Sequence, residues 1–136
     1  MTARKKILFL CIGNSCRSQM AEGFARAYGS DVMEPKSAGL MPATMIAPLT
    51  FKVMEEKNIQ LNGQFPKGID ELGSGAFDLI VNMSGTRLPA LGSPVEEWTV
   101  RDPMGDKEPV YREVANQIEG LVMRLILGLR KGSRKI

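Results

Sequence analysis

Two short apolar runs frame the amino-terminal two thirds of this chain. Residues 5–10 end in Ile7-Leu8-Phe9-Leu10, and residues 77–83 read Phe-Asp-Leu-Ile-Val-Asn-Met. Runs of this length bounded by turn formers predict strands buried on both faces, as parallel sheets require. Helical spacing takes over between and after them. Residues 18–28 place Met20, Phe24 and Ala27 on one face and stop at Gly29. Residues 44–57 repeat the pattern with Ile46, Leu49, Val53 and Met54. The longest stripe runs over 108–129, through Val110, Val114, Ile118, Leu121, Leu125 and Leu129, and is widened by Val122 and Ile126.

Three weaker segments complete the pattern. Residues 32–37 predict a short strand, which Pro35 confines to a sheet edge. Residues 69–73 predict a turn or two of helix, and 97–100 a last strand. The glycine- and proline-rich 84–94 and the stretch 102–105 read as loops. Strands alternating with helices predict an α/β three-layer sandwich, a four-stranded parallel sheet with helices on both faces and right-handed crossovers. With 136 residues and no internal repeat, one domain over 1–136 is expected.

The first strand ends at Cys11, and there the hydrophobic pattern gives way to chemistry. Cys11-Ile12-Gly13-Asn14-Ser15-Cys16-Arg17-Ser18 separates the strand from a good helix former. Five residues between Cys11 and Arg17 let the backbone curl around a tetrahedral oxyanion with N–H groups pointing inward. Gly13 is expected to take the unusual dihedrals of that curl, and Asn14 tolerates left-handed angles. Arg17 can close the ring with a planar fork on two oxygens. A helix N-terminus and a nearby cation both favour the thiolate, and Ser18 can add a hydroxyl hydrogen bond to the sulfur. The pattern therefore predicts a nucleophilic Cys11 beneath an anion held by residues 12–18. An isolated Cys-x5-Arg is more often a buried cysteine and a surface charge; here the strand and the helix supply the context on both sides.

Composition removes most competing chemistries. There is no histidine, which excludes Ser-His-Asp and Cys-His hydrolases and histidine metal sites. Two cysteines cannot make a four-cysteine zinc site, and no metal or cofactor is expected. Cys16 reads either as a small buried residue or as a redox partner whose disulfide with Cys11 would shield the nucleophile. The formal charge of +3 sits largely at the two ends, so solvated termini are expected rather than nucleic-acid contacts. No apolar run reaches membrane-spanning length and the basic start leads into the loop rather than a cleavage site, so a cytoplasmic location without membrane contact is expected.

Cys11-x-Gly13-Asn14-x-Cys16-Arg17-Ser18 resembles the signature of the low-molecular-weight protein tyrosine phosphatases and of the thioredoxin-type arsenate reductases that share their fold. Ser37-Ala38-Gly39 and Asp102-Pro103 extend the resemblance along most of the chain. It implies phosphate-ester hydrolysis through a cysteinyl phosphate on Cys11, with Asp102 as general acid and then base. Asp-Pro by itself is also a common turn former. In the reductase branch, further cysteines directly after the third strand accept the oxidising equivalents. This chain has Ser84 and Thr86 there. Gln19, Met20-Ala21-Glu22-Gly23 and Met104-Gly105 nevertheless look like the reductase branch. The resemblance also implies a potassium site, for which Asn14, Glu22 and Ser37 match three ligands, whereas Lys67 stands at the fourth and is placed to satisfy Glu22 directly.

With the resemblance taken in, phosphate monoester hydrolysis by Cys11, Arg17 and Asp102 comes first, because that set is complete without outside help. Arsenate reduction coupled to an external thiol is the alternative. Either way the partner is a phosphorylated substrate or an inorganic oxyanion, phosphate or arsenate, with a thiol reductant in the second case.

Overall fold

The computed structural model describes residues 3–72 and 76–136. Four strands, β1 (Lys5–Cys11), β2 (Met33–Gly39), β3 (Leu79–Asn82) and β4 (Val95–Glu97), form one sheet in the order β2-β1-β3-β4. Every pairing is parallel, with Ile7 opposite both Pro35 and Leu79. Of three α-helices among the described residues, α1 (Arg17–Tyr28) and α2 (Pro48–Glu55) follow β1 and β2, whereas no helix lies between β3 and β4 and α3 (Glu108–Lys131) comes last; a 3-10 turn covers Ile69–Leu72. Residue 73, the end of the expected 69–73 helical segment, lies outside the described residues.

Alternation along β1 divides the core. Ile7, Phe9 and Cys11 face Met20 and Phe24 of α1, Met54 of α2, and Ile118 and Ile126 of α3. Leu8 and Leu10 face the other way, where Ile80, Ala38, Ile69 and Leu72 cover them. The helices therefore gather on one face and the 3-10 turn lies on the other. Among the described residues no helix is long and apolar enough to cross a membrane.

Element ends differ from the pattern for local reasons. The helix expected over 44–57 begins only at Pro48, because proline holds Ala47 extended at ψ 133°. It ends at Glu55, and the turn after it closes at Asn58, whose φ of +62° lets the Ile59 N–H donate to the Met54 carbonyl. Ala27 is exposed and Ala25 takes its place in the core. β2 is an edge strand as Pro35 requires. The last strand lies at Val95–Glu97 rather than 97–100, because the Val100 carbonyl serves Arg17 instead of a neighbouring strand.

Candidate active site

The loop after β1 is shaped by what its carbonyls bind. The Cys11, Ile12, Gly13 and Ser15 carbonyls accept from the backbone N–H groups of Leu40, Met41, Ala43 and Ala47, and the Asn14 carbonyl accepts from Gln19 Nε2. Carbonyl and N–H of one planar trans peptide point in opposite directions. Five outward carbonyls thus turn the N–H groups of Ile12, Gly13, Asn14, Ser15 and Cys16 inward. No side chain caps α1, so its first-turn donors, from Arg17 and Ser18 onward, remain directed at the same place.

Glycine serves this loop from an unexpected position. Gly13 does not adopt a positive φ, and a methyl group there would meet Ala43 Cβ at 3.8 Å, an ordinary contact. The left-handed residue is Asn14, at φ +51°. The glycine the loop cannot do without is Gly39 at the end of β2. A Cβ on Gly39 would lie 2.7 Å from the Ile12 carbonyl oxygen and 2.9 Å from the Asn14 nitrogen. Both are backbone atoms of the cradle, so Gly39→Ala is expected to cost about 1–3 kcal/mol of stability. It should also weaken inorganic phosphate binding roughly tenfold, since the displaced N–H groups are the proposed ligands. Thermal melts and calorimetric titration check both; native-like phosphate affinity in the variant would contradict the shape argument.

A polar chain reaches the Cys11 sulfur from behind. Asn14 Oδ1 accepts from the Lys67 backbone N–H and from Gln19 Nε2, each at 3.0 Å. Its Nδ2 must then be the donor to Ser18 Oγ, at 2.7 Å. Ser18 Oγ lies 2.9 Å from Cys11 Sγ. Because Ser18 accepts from Asn14, its own hydrogen is available to the sulfur. Cys16 is buried and its thiol reaches Tyr111 Oη at 3.7 Å. Burial, foremost, pushes the Cys16 thiol up. Both cysteines are free thiols.

Arg17 is buried and threads between elements. Its Nη1 donates to the Met83 carbonyl and to the Val100 carbonyl at 3.1 Å. Its Nη2 lies 3.5 Å from Asp102 Oδ2, and its Nε is a buried donor without a hydrogen-bond partner. Asp102 is half-exposed, and its Oδ1 accepts from the Met104 N–H at 3.1 Å. Cys11, Ile12, Gly13, Ser15, Cys16, Arg17, Asp102 and Met104 together line a pocket of about 120 Å³. The sequence-derived residues are thus brought to one place, except that Asn14 and Ser18 lie behind the loop rather than in the pocket wall.

Lys67 does not satisfy Glu22. That carboxylate accepts from Arg26, one helical turn on, and from Ser37 Oγ at 2.5 Å. The Lys67 ammonium instead donates to the Phe65 carbonyl at 3.0 Å and lies 4.9 Å from the Phe65 ring centre. Burial pulls its pKa down. Among the described residues no group of three histidine, cysteine, aspartate or glutamate side chains could hold a metal ion. Sequence reasoning missed Gln64, which donates to Gln19 Oε1 at 2.7 Å and so fixes the amide that braces Asn14. The contact spans 45 residues and leaves no periodic trace.

The family model for low molecular weight phosphotyrosine protein phosphatase matches residues 6–135. A glutaredoxin arsenate reductase of Synechocystis sp. is 35% identical over 127 residues, covering 90% of this chain and 96% of that protein. A solved structure of an arsenate reductase in the phosphate binding state superposes with a TM-score of 0.84 at 34% identity, over 92% of this chain and 98% of the other. A low molecular weight protein tyrosine phosphatase from T. tengcongensis superposes at 0.73 with 28% identity, over 92% and 99%. The chain belongs to the low molecular weight phosphotyrosine protein phosphatase family.

Proposed function

We propose that the protein is an arsenate reductase in which Cys11 attacks the oxyanion and an external thiol supplies the second sulfur. The observation that carries this reading is the small oxyanion pocket over Cys11 in a chain whose only other thiol is the buried Cys16. Relatives named arsenate reductase at 34–35% identity support the chemistry and move it ahead of the hydrolysis expected from the sequence. The pocket rim supports it too. Met104 stands there, and among the described residues no aromatic side chain lines the pocket to grip a phosphotyrosine ring.

The steps balance without a cofactor. Arsenate sits in the N–H cradle with Arg17 Nε and Nη2 on its oxygens. Cys11 Sγ attacks arsenic and one oxygen departs as water, with Asp102 as the proton source. A thiolate from outside then attacks Cys11 Sγ. The S–As bond breaks, its electron pair stays on arsenic as arsenite, and a mixed disulfide remains on Cys11. A second equivalent of thiol releases Cys11 and leaves as the disulfide. Cys16 enters only under oxidation, as the partner that protects Cys11 when the anion is gone. The test is arsenate turnover with a small thiol, set beside hydrolysis of an aryl phosphate.

Asp102 favours a second reading, phosphate monoester hydrolysis through a cysteinyl phosphate, because it places a carboxylate at the mouth of the same pocket. If that activity is real, Asp102→Asn slows esters with poor leaving groups by about 10²–10⁴-fold and those with acidic leaving groups much less. A leaving-group series checks this, and uniform slowing would remove Asp102 from the role.

A further inference from the structure

The segment after β3, where a cysteine relay is missing, is tied down by a dense polar network. Asn82 is fully buried, and its Oδ1 accepts from the Ser84 N–H at 3.0 Å and the Ser84 hydroxyl at 2.6 Å. Its Nδ2 donates to the Thr86 carbonyl at 2.8 Å and to both Glu97 carboxylate oxygens, at 2.9 and 3.1 Å. Ser84 Oγ in turn accepts from the Thr86 N–H at 3.1 Å. Every polar atom of the Asn82 side chain is used, and Glu97 anchors it from β4. None of these residues touches the pocket.

The network nevertheless reaches the site through one peptide plane. Ser84 N–H and the Met83 carbonyl belong to the same peptide, so fixing the first aims the second in the opposite direction. The Met83 carbonyl accepts from Arg17 Nη1, together with the Val100 carbonyl. Two carbonyls occupy both hydrogens of Nη1. The edge formed by the Nε–H, which has no partner among the described residues, and by Nη2, 3.5 Å from Asp102 Oδ2, is what remains.

We infer that Asn82 is a positioning residue for oxyanion binding: through the 83–84 peptide it sets which edge of the Arg17 guanidinium faces the anion. Glu97 holds Asn82 in the amide orientation that does this. A guanidinium fork binds a tetrahedral oxyanion bidentately only when its edge is aimed, so a loosened Met83 carbonyl costs affinity without removing charge. The same network makes the 83–86 segment a fixed support, where a chain with thiols there would need it to move. The inference rests on the oxyanion site proposed above but not on its chemistry, since inorganic phosphate serves as the probe.

The experiment is a double-mutant cycle read by calorimetric titration with inorganic phosphate. Asn82→Ala is expected to weaken phosphate binding about tenfold in the native background. In the Arg17→Lys background, where no fork is left to aim, the same change is expected to weaken it by less than about twofold. An equal loss in both backgrounds, or no loss in the first, would overturn the inference. Should Asn82→Ala fail to fold, Glu97→Ala at the exposed end of the network reads the same coupling. There the expected loss is about threefold, again confined to the background with arginine. A native protein that binds no phosphate would instead sink the proposed function.

Discussion

Cys11→Ser is expected to lower turnover by on the order of 10⁴-fold or more, while phosphate affinity changes by less than about threefold. The asymmetry follows from where the two tasks are lodged. Binding belongs to the backbone: five inward N–H groups whose carbonyls are held by residues 40–47 and Gln19, and the Arg17 edge. None of these depends on the atom at the tip of residue 11. In the proposed mechanism catalysis belongs to that atom. A serine hydroxyl is a far weaker acid than a thiol, and there is no histidine in the chain to take its proton. A 10⁴-fold loss is about 5.5 kcal/mol of transition-state stabilisation. Cys16→Ser supplies the contrast, because Cys16 is buried against Tyr111 and its thiol is pushed towards the neutral form. Activity that survived Cys11→Ser and vanished with Cys16→Ser would reverse the assignment.

The site was largely legible because its elements are close in sequence. Cys11, Arg17 and the following helix lie within one strand-loop-helix unit, so spacing alone describes the cradle. Asp102 was legible only through the resemblance of its Asp-Pro pair, because by itself that pair reads as a turn former; its place after a strand agrees with the role, since strand ends share one edge in a parallel sheet. What escaped was set by contacts between distant segments. Gly13 looked like the residue the curl needs, yet the strain falls on Asn14 and the close approach on Gly39, whose role appears only when β2 lies beside β1.

Side-chain partners were less readable still. Lys67 was expected against Glu22, but Arg26 is one helical turn away on the same helix and reaches the carboxylate without crossing the chain. Local pairing on α1 preceded the long-range one. Asn82 gave no signal at all. In sequence it is one polar residue at the end of a buried strand, and its partners Ser84, Thr86 and Glu97 read as loop and edge residues. The fold boundaries that shifted, at Pro48 and at Val95–Glu97, did so for the same kind of reason: a proline dihedral in one case, a carbonyl claimed by Arg17 in the other.

The second large effect is the demand for a sulfur from outside. Once Cys11 carries arsenic, the adduct can be resolved only by a thiol, and the hydroxyl groups at positions 84 and 86 cannot form a disulfide. Ser84 is held by Asn82, and the 83–86 segment is pinned to the support of Arg17, so even a residue with the right chemistry there would have to break that network to move. Cys16 lies in the cradle itself and can approach Cys11 only by collapsing the anion site. Arsenate turnover should therefore be absent, down by at least about 10³-fold, without a small thiol. It should rise with the concentration of that thiol and survive Cys16→Ser. The central measurement is intact-mass spectrometry of the reduced protein after reaction with arsenate and one equivalent of glutathione, too little to release Cys11. One glutathione bound by a disulfide to Cys11, with arsenite released in equal amount, is expected. Arsenite formed with no adduct and with an internal Cys11–Cys16 disulfide in its place would contradict it.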